Sequence, residues 1–443
     1  MPNQYIKTVK FGGSSLADAA QFKKVADIVL SDKTRRYVVP SAPGRRFDGD
    51  EKVTDMLYAC HALASKGKKI DSVFDKICDR YNSIISELGL DLSLADEFKT
   101  IYDNISGGAG DSYAASRGEY LNGIILASYL GFDFVDAAQC IFFTENKQLD
   151  SEKTNKILGE ELAKHEYAVI PGFYGSMPDG SVITFSRGGS DITGSVVARA
   201  VQAELYENWT DVSGFLMADP RIVKNPETID VITYHELREL AYMGATVLHE
   251  DAIFPVRLSG IPINIRNTNR PDDAGTMIVA KAPKESSTTK VITGIAGRKG
   301  FSVISLEKDM MNSEIGFGRR LLNVLENHSV PFEQLPSGID TMSVIVSTHE
   351  LEGCRSNIMH EICVECNPDR IDIEDGLALI AVVGRGMVQS PGTAARLFTA
   401  VAAAGINIRM IDQGSSEFNI ILSVEEHDFE AALKAIYAEF VKQ

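Results

Sequence analysis

Val9-Lys10-Phe11-Gly12-Gly13-Ser14-Ser15 sets a lysine at the end of a strand, just where the backbone becomes glycine-rich. Residues 5–11 mix β-branched and aromatic side chains and read as a buried strand. Residues 17–30 then repeat apolar side chains at helical spacing, with Val25, Ile28 and Val29 on one face. Between them, Gly12 and Gly13 let backbone N–H groups approach an anion with no Cβ in the way, and the following helix would add the positive end of its dipole. A cation, bare amides and a helix N-terminus at one spot suggest a polyphosphate. The competing reading is an ordinary strand-to-helix turn that happens to hold two glycines.

A chain of 443 residues exceeds one typical domain, so two or three are expected. Apolar residues at 44% suffice for real cores, and a net charge of −17 argues against nucleic acid or an anionic membrane as the main partner. No apolar run reaches the roughly 18 residues of a membrane span. Met1-Pro2-Asn3-Gln4 opens no signal-peptide pattern, so cytoplasm is the expected compartment. Cys60, Cys78 and Cys140 sit singly among apolar residues and read as small core residues. Cys363 and Cys366 have metal-ligand spacing but no second pair to complete a site, so no metal is expected there.

Strands at 36–39, 167–170 and 182–185 alternate with helices at 55–65, 121–130 and 191–205. This is the signature of an α/β fold with a mainly parallel sheet sandwiched by helices. Residues 281–290 are polar, aperiodic and contain a proline; they read as a linker closing a first domain of residues 1–283. Two similar units follow, 291–372 and 373–443, each on the βαββαβ plan of a ferredoxin-like fold. The second runs out of chain before its last strand, and the surplus strand 291–296 is expected to complete its sheet.

Three further loops carry chemistry. Ser186-Arg187-Gly188-Gly189-Ser190-Asp191 repeats the opening logic between a strand and a helix, with Ser190 or Asp191 as N-cap and Arg187 as a fork for an anion. Arg117-Gly118-Glu119 offers a carboxylate beside a tight turn ahead of a helix. Thr210-Asp211-Val212-Ser213-Gly214 continues into Ala218-Asp219-Pro220-Arg221. Each alone could be a structural turn; several at the same kind of strand end favour one shared site. GxxxxGK[ST] is absent, and no GxGxxG follows the first strand, so neither common nucleotide fingerprint applies.

Together with Gly244-Ala245-Thr246-Val247-Leu248-His249, these motifs resemble, in order, the aspartate kinases of the amino acid kinase family, with paired C-terminal ACT regulatory domains; the likeness covers nearly the whole chain. The resemblance implies ATP-dependent phosphorylation of the side-chain carboxylate of L-aspartate, the step that opens lysine, threonine and methionine biosynthesis. It implies Lys10 as the cation at the transferring phosphoryl group. Gly12, Gly13 and Ser14 would line the same phosphates, and Thr210, Asp211 and Arg221 the ATP side, with Asp211 orienting Lys10 or the nucleotide. Arg187 would clamp the α-carboxylate of aspartate and Glu119 its ammonium, with Ser41, Phe173, Ser190 and Asp191 completing the pocket. Mg²⁺ would arrive with ATP, held largely by phosphates. Three departures stand out: Thr246 where the family usually has lysine (with Glu250 in place of its proline), Leu216 where a stacking tyrosine is common, and a long loop at 43–52. That loop is either a lid offering Arg45 or Arg46 as replacement cation or a solvated insertion.

The resemblance also implies a homodimer or larger assembly through the ACT domains. Met311, Glu314 and Gly316, with Phe332 and Glu333 opposite, would hold an amino-acid effector: lysine, or threonine as the alternative. No fused homoserine dehydrogenase is expected. A kinase for another amino-acid carboxylate, and an amino-acid sensor whose kinase has decayed, are the competing functions.

Overall fold

The computed structural model describes residues 5–186, 188–245, 254–282 and 290–441. Arg187, Thr246, His249, Glu250 and residues 283–289 of the expected linker lie outside the described residues. The chain divides into two compact units, one of Met1–Phe215, Thr228–Tyr234 and Thr246–Ala282, the other of Leu216–Glu227, His235–Ala245 and Pro283–Gln443. The division is therefore interleaved, where the composition suggested one cut near residue 283.

In chain order come β1 (Lys7–Phe11), α1 (Ala19–Leu30), β2 (Arg35–Pro40), α2 (Val53–Ala64), α3 (Asp71–Leu88), α4 (Ala95–Ser106), α5 (Asp111–Leu130), β3 (Asp133–Phe134), α6 (Ala137–Cys140) and α7 (Ser151–Leu162). They are followed by β4 (Ala168–Val169), β5 (Tyr174–Ser176), β6 (Val182–Thr184), α8 (Gly189–Ala200), β7 (Leu205–Thr210), β8 (Val231–Thr233), α9 (Tyr234–Tyr242), α10 (Phe254–Ser259), β9 (Ile263–Asn267) and β10 (Thr276–Val279). From His235 onward α9 belongs to the second unit. The main sheet runs β3-β4-β2-β1-β7-β9-β10-β8, with only the β9/β10 pair antiparallel.

Alternation along β1 divides its two faces. Val9 and Phe11 join a core with α1 to α5, while Lys10 points to the other side, where α8 supplies its partner. The stretch between β1 and α1 differs from the expectation. Gly13–Leu16 forms a one-turn 3-10 segment, and α1 starts only at Ala19, where Asp18 accepts from the Gln21 amide at 2.9 Å. The α1 dipole is thus already capped by a carboxylate. Two helices, α3 and α4, were not anticipated, although Phe74, Ile77, Tyr81 and Ile84 mark a buried stripe on α3 at helical spacing.

Arg117-Gly118-Glu119 is no turn. It lies inside α5, a helix buried nearly all round. Gly118 is there for contact: a Cβ would stand 2.8 Å from that of Ala42, so α5 touches the loop after β2 only because the side chain is missing. In the same region α8 stops at Ala200, short of the expected 205, because Leu205 already opens β7.

The second unit holds β11 (Gly294–Glu307), α11 (Phe317–Asn327), β12 (Phe332–Gln334), β13 (Thr341–Ser347), α12 (Arg355–Cys366), β14 (Arg370–Val383), α13 (Thr393–Ala403), β15 (Met410–Asp412), β16 (Asn419–Glu425) and α14 (Phe429–Val441). One six-stranded sheet, β12-β13-β11-β14-β16-β15, runs through both ACT-like repeats. The strand expected at 291–296 is the first part of a longer one, β11, whose pairing with β14 shifts register on both sides of Phe301, next to Gly300 at φ +91°. Its first part, from Gly294 to Lys299, lies antiparallel to the Ala378-to-Val383 end of β14, and its later part pairs with β13. Met410–Asp412 forms the short edge strand β15. Cys366 is buried in the last turn of α12 and Cys363 exposed. Cys60 and Cys140 are buried, Cys78 half-buried.

Inside this unit Glu236 is fully buried. It receives two bonds from the Arg385 guanidinium (3.1 and 2.8 Å), one from the Arg385 amide (3.1 Å) and one from the Thr293 hydroxyl (2.5 Å). Among the described residues no helix is long and apolar enough to cross a membrane.

Candidate active site

Parallel strands end together, so the loops after β1, β2, β4 and β7 share one edge of the sheet. Lys10, the penultimate residue of β1, is buried, and its Nζ stands 2.6 Å from Asp191 Oδ1 in the first turn of α8. The ammonium also donates to Asn208 Oδ1 at 3.4 Å, and Asn208 Nδ2 donates to Asp191 Oδ1 at 2.8 Å. Asn208 was not singled out from the sequence. Its signal is a fully polar side chain at a buried position of a central strand.

Gly12 and Gly13 serve different ends. A Cβ on Gly12 would sit 3.6 Å from Lys10 Nζ, in the space beside the ammonium; Gly13 presses on the next loop, where a Cβ would stand 2.9 Å from the Ala42 carbonyl oxygen. The Gly44 amide donates to the Gly13 carbonyl at 2.8 Å, and the Ser41 amide to the Phe11 carbonyl at 3.0 Å. Ser14 is exposed next to this turn. Asn122 of α5, also unforeseen, holds the Ser41 carbonyl at 2.6 Å.

Glu119 is buried on α5, and its Oε2 has no hydrogen-bond partner. Burial pushes its carboxyl up to about 8, against the opposing pull of the Ala42 amide and the Arg117 charge. Arg117 itself lies among the rings of Tyr113, Tyr120 and Tyr174, 4.5 to 5.1 Å from their centroids. A buried acid with an unpartnered oxygen suits an incoming ammonium.

Phe173 is held at φ +81°, a conformation costing a non-glycine residue about 1 kcal/mol or more. Its amide donates to Thr193 Oγ1 at 2.9 Å, and its ring lies where a Cβ on Gly189 would come within 2.3 Å. Ser190 is buried against Gly172, whose own Cβ would meet Ser190 Oγ at 2.7 Å. Phe173, Ser190 and Asp191 are thus brought together at the start of α8. Arg187 lies outside the described residues.

Asp211 departs from one of its two expected roles. The carboxylate on Lys10 is Asp191, while Asp211 is exposed, accepts from the Thr210 hydroxyl at 3.2 Å, and has its carbonyl held by Asn267 at 3.2 Å. Arg221 falls in the second unit, 86% exposed and paired to Asp219 at 2.6 Å; Leu216 belongs to the same segment. In the long loop, Arg46 is bound to Asp50 at 2.9 Å, so it is not a free cation. Asp50 also receives the buried Arg80 at 2.7 Å, and Arg80 reaches the Gly44 carbonyl at 3.2 Å. The loop is tied down, and Arg45 at its start is exposed.

The expected effector residues all lie in the second unit. Met311 is buried, Gly316 caps α11 at φ +82°, and Phe332 is 46% exposed on the edge strand β12. Both acids have cations beside them: Glu314 pairs with Lys308 at 2.6 Å and with Arg320, Glu333 with Arg298 at 3.3 Å. An ammonium at Glu314 must compete with its two cations, whereas Oε2 of Glu333 is buried without a hydrogen-bond partner. Among the described residues no group of three or more His, Cys, Asp or Glu side chains is placed to hold a metal ion.

The model of the amino acid kinase family matches residues 6–267, and that of an ACT domain matches residues 380–440. Aspartokinase 3 of Bacillus subtilis is 38% identical over 451 residues, covering 98% of both chains. The aspartate kinase of Clostridium acetobutylicum superimposes with a TM-score of 0.90 at 52% identity, over 99% of this chain and all of the other. Escherichia coli aspartokinase III, solved with lysine and aspartate in its T-state, gives a TM-score of 0.73 at 25% identity over 98% and 99% of the two chains.

Proposed function

The chain belongs to the amino acid kinase family and, within it, to the aspartokinases; on that premise we propose how its own residues transfer the γ-phosphoryl group of ATP to the side-chain carboxylate of L-aspartate, giving 4-phospho-L-aspartate and ADP. The nucleophile is a carboxylate, already ionised at neutral pH, so no general base is required. Catalysis then reduces to positioning and charge neutralisation. Lys10, steadied by Asp191, faces the charge that builds on the transferring group, beside amides of the Gly12-Gly13 turn. Glu119 Oε2 takes the substrate ammonium, and Phe173, Ser190 and Asp191 close the pocket, with Arg187 as clamp for the α-carboxylate. Thr210 and Asp211 lie on the nucleotide side. Mg²⁺ enters with ATP, its charge held chiefly by phosphate oxygens.

The observation that carries this reading is the Lys10–Asp191 contact of 2.6 Å beside the paired glycines. The ACT units provide feedback control, with lysine as the effector the E. coli complex favours and threonine as the alternative. Assembly as a homodimer or larger oligomer belongs to the same reading. The test is ADP release with ATP, Mg²⁺ and L-aspartate, with and without lysine or threonine. Aspartate-dependent release suppressed by lysine supports the whole reading. Release with another amino-acid carboxylate alone would reassign the substrate, and none with any would leave an amino-acid sensor.

A further inference from the structure

Resting on the phosphoryl-transfer reading, we propose that Asn208 is a positioning residue of this reaction, orienting the Lys10 ammonium through a bridge to Asp191. The register places Asn208 directly beside Lys10 on neighbouring parallel strands, and Asp191 meets both from α8. Asn208 is 3% exposed. A polar side chain that deep in a central strand is unfavourable unless hydrogen-bonded, and both of its bonds go to the site pair. Tyr206, two residues earlier on the same face, donates to the Asp191 carbonyl at 3.1 Å, so one side of β7 anchors Asp191 twice.

The chemistry needs this arrangement. A lysine paired with a single carboxylate is free to swing about it, and the carboxylate screens the field the lysine presents to a phosphate. An amide corrects both faults without altering net charge. Its Nδ2 draws on the Asp191 charge, and its Oδ1 takes a second ammonium hydrogen. With two of the three hydrogens fixed, the third points in one direction, into the space that Gly12 leaves open.

Asn208→Leu keeps the volume and removes both bonds. We expect kcat to fall about 10- to 100-fold, with KM for ATP and aspartate changed less than about threefold. Asn208→Asp keeps the acceptor for Lys10 but sets two acids against each other; kcat should fall and the acidic limb of the rate profile move to higher pH. Hydrogen exchange of the Lys10 ammonium, read by nitrogen-15 lysine NMR, should quicken in Asn208→Leu. Wild-type kcat in the folded leucine variant, or unchanged Lys10 exchange, overturns the proposal. A wild-type protein without aspartate-dependent ADP release overturns the functional reading instead, and the exchange measurement still decides the role of Asn208.

Discussion

Gly13 and Gly44 meet backbone to backbone: a Cβ on Gly44 would stand 2.6 Å from the Gly13 carbonyl carbon and 2.8 Å from its oxygen. Neither residue needs its glycine for a left-handed φ; each needs it for the approach. The loop after β2 thereby fixes the loop that lies beside Lys10, and Arg80 secures it from behind through the Gly44 carbonyl.

Gly44→Ala forces those two loops apart, since backbone cannot rotate away as a side chain can. Turnover should fall about 100-fold, in line with a displacement of roughly 1 Å at a reacting group. The circular dichroism spectrum should be unchanged. Steady-state kinetics on the purified variant decide it; wild-type kcat would mean the loops relax without moving Lys10.

Lys10→Met removes the cation and leaves Asp191 bonded to Asn208. Loss of about 1,000-fold in kcat is expected, the scale on which a cation at a transferring phosphoryl group acts. Thermal melting should show the fold intact, and rates near wild type would place the site elsewhere.

The raised Glu119 carboxyl gives two effects of pH. Because the free protein holds this proton up to about 8, binding of the substrate ammonium expels it, so KM for aspartate should fall as pH rises toward 8. Stability moves the other way. The folded value lies above the unfolded 4.5, so the contribution is full below that pH and is lost as pH climbs through about 8. Urea midpoints at about pH 6 and about pH 9 should therefore differ less in Glu119→Gln than in the wild type.

Glu236→Met leaves the largely buried Arg385 guanidinium without its carboxylate and should cost about 3–5 kcal/mol; Arg385→Met should cost less, because the Glu236 carboxylate keeps the Thr293 hydroxyl and the backbone amide of residue 385. Replacing both should cost less than the sum of the two single changes, because the two charges are then removed together. Denaturant titration of the two single variants and the double variant closes the cycle.

The opening strand, the glycine turn and the repeated ACT-like plan are legible because each is written locally, in residue type and spacing. What escaped is written across distance. Asn208 acquires meaning only when β7 is laid beside β1, and α5 hides Gly118 as a contact where a linear reading sees a turn. The strand expected at 291–296 gives no sign of its continuation, yet cross-strand pairing carries β11 on through Gly297 and Gly300 to Glu307. Glu314 and Glu333 read as effector contacts, and the cations Lys308, Arg320 and Arg298 come beside them only in the folded unit.

The long strand β11 also governs the order in which a growing chain can take shape. Gly294 has no partner until Val383 has been synthesised, and the β14 residues it meets wait in turn for Asn419 and its neighbours. A ribosome therefore releases most of the kinase unit before any pairing of the shared sheet can close. Such non-local pairing is slow. In the interval the newly made enzyme carries its catalytic loops without a finished regulatory body.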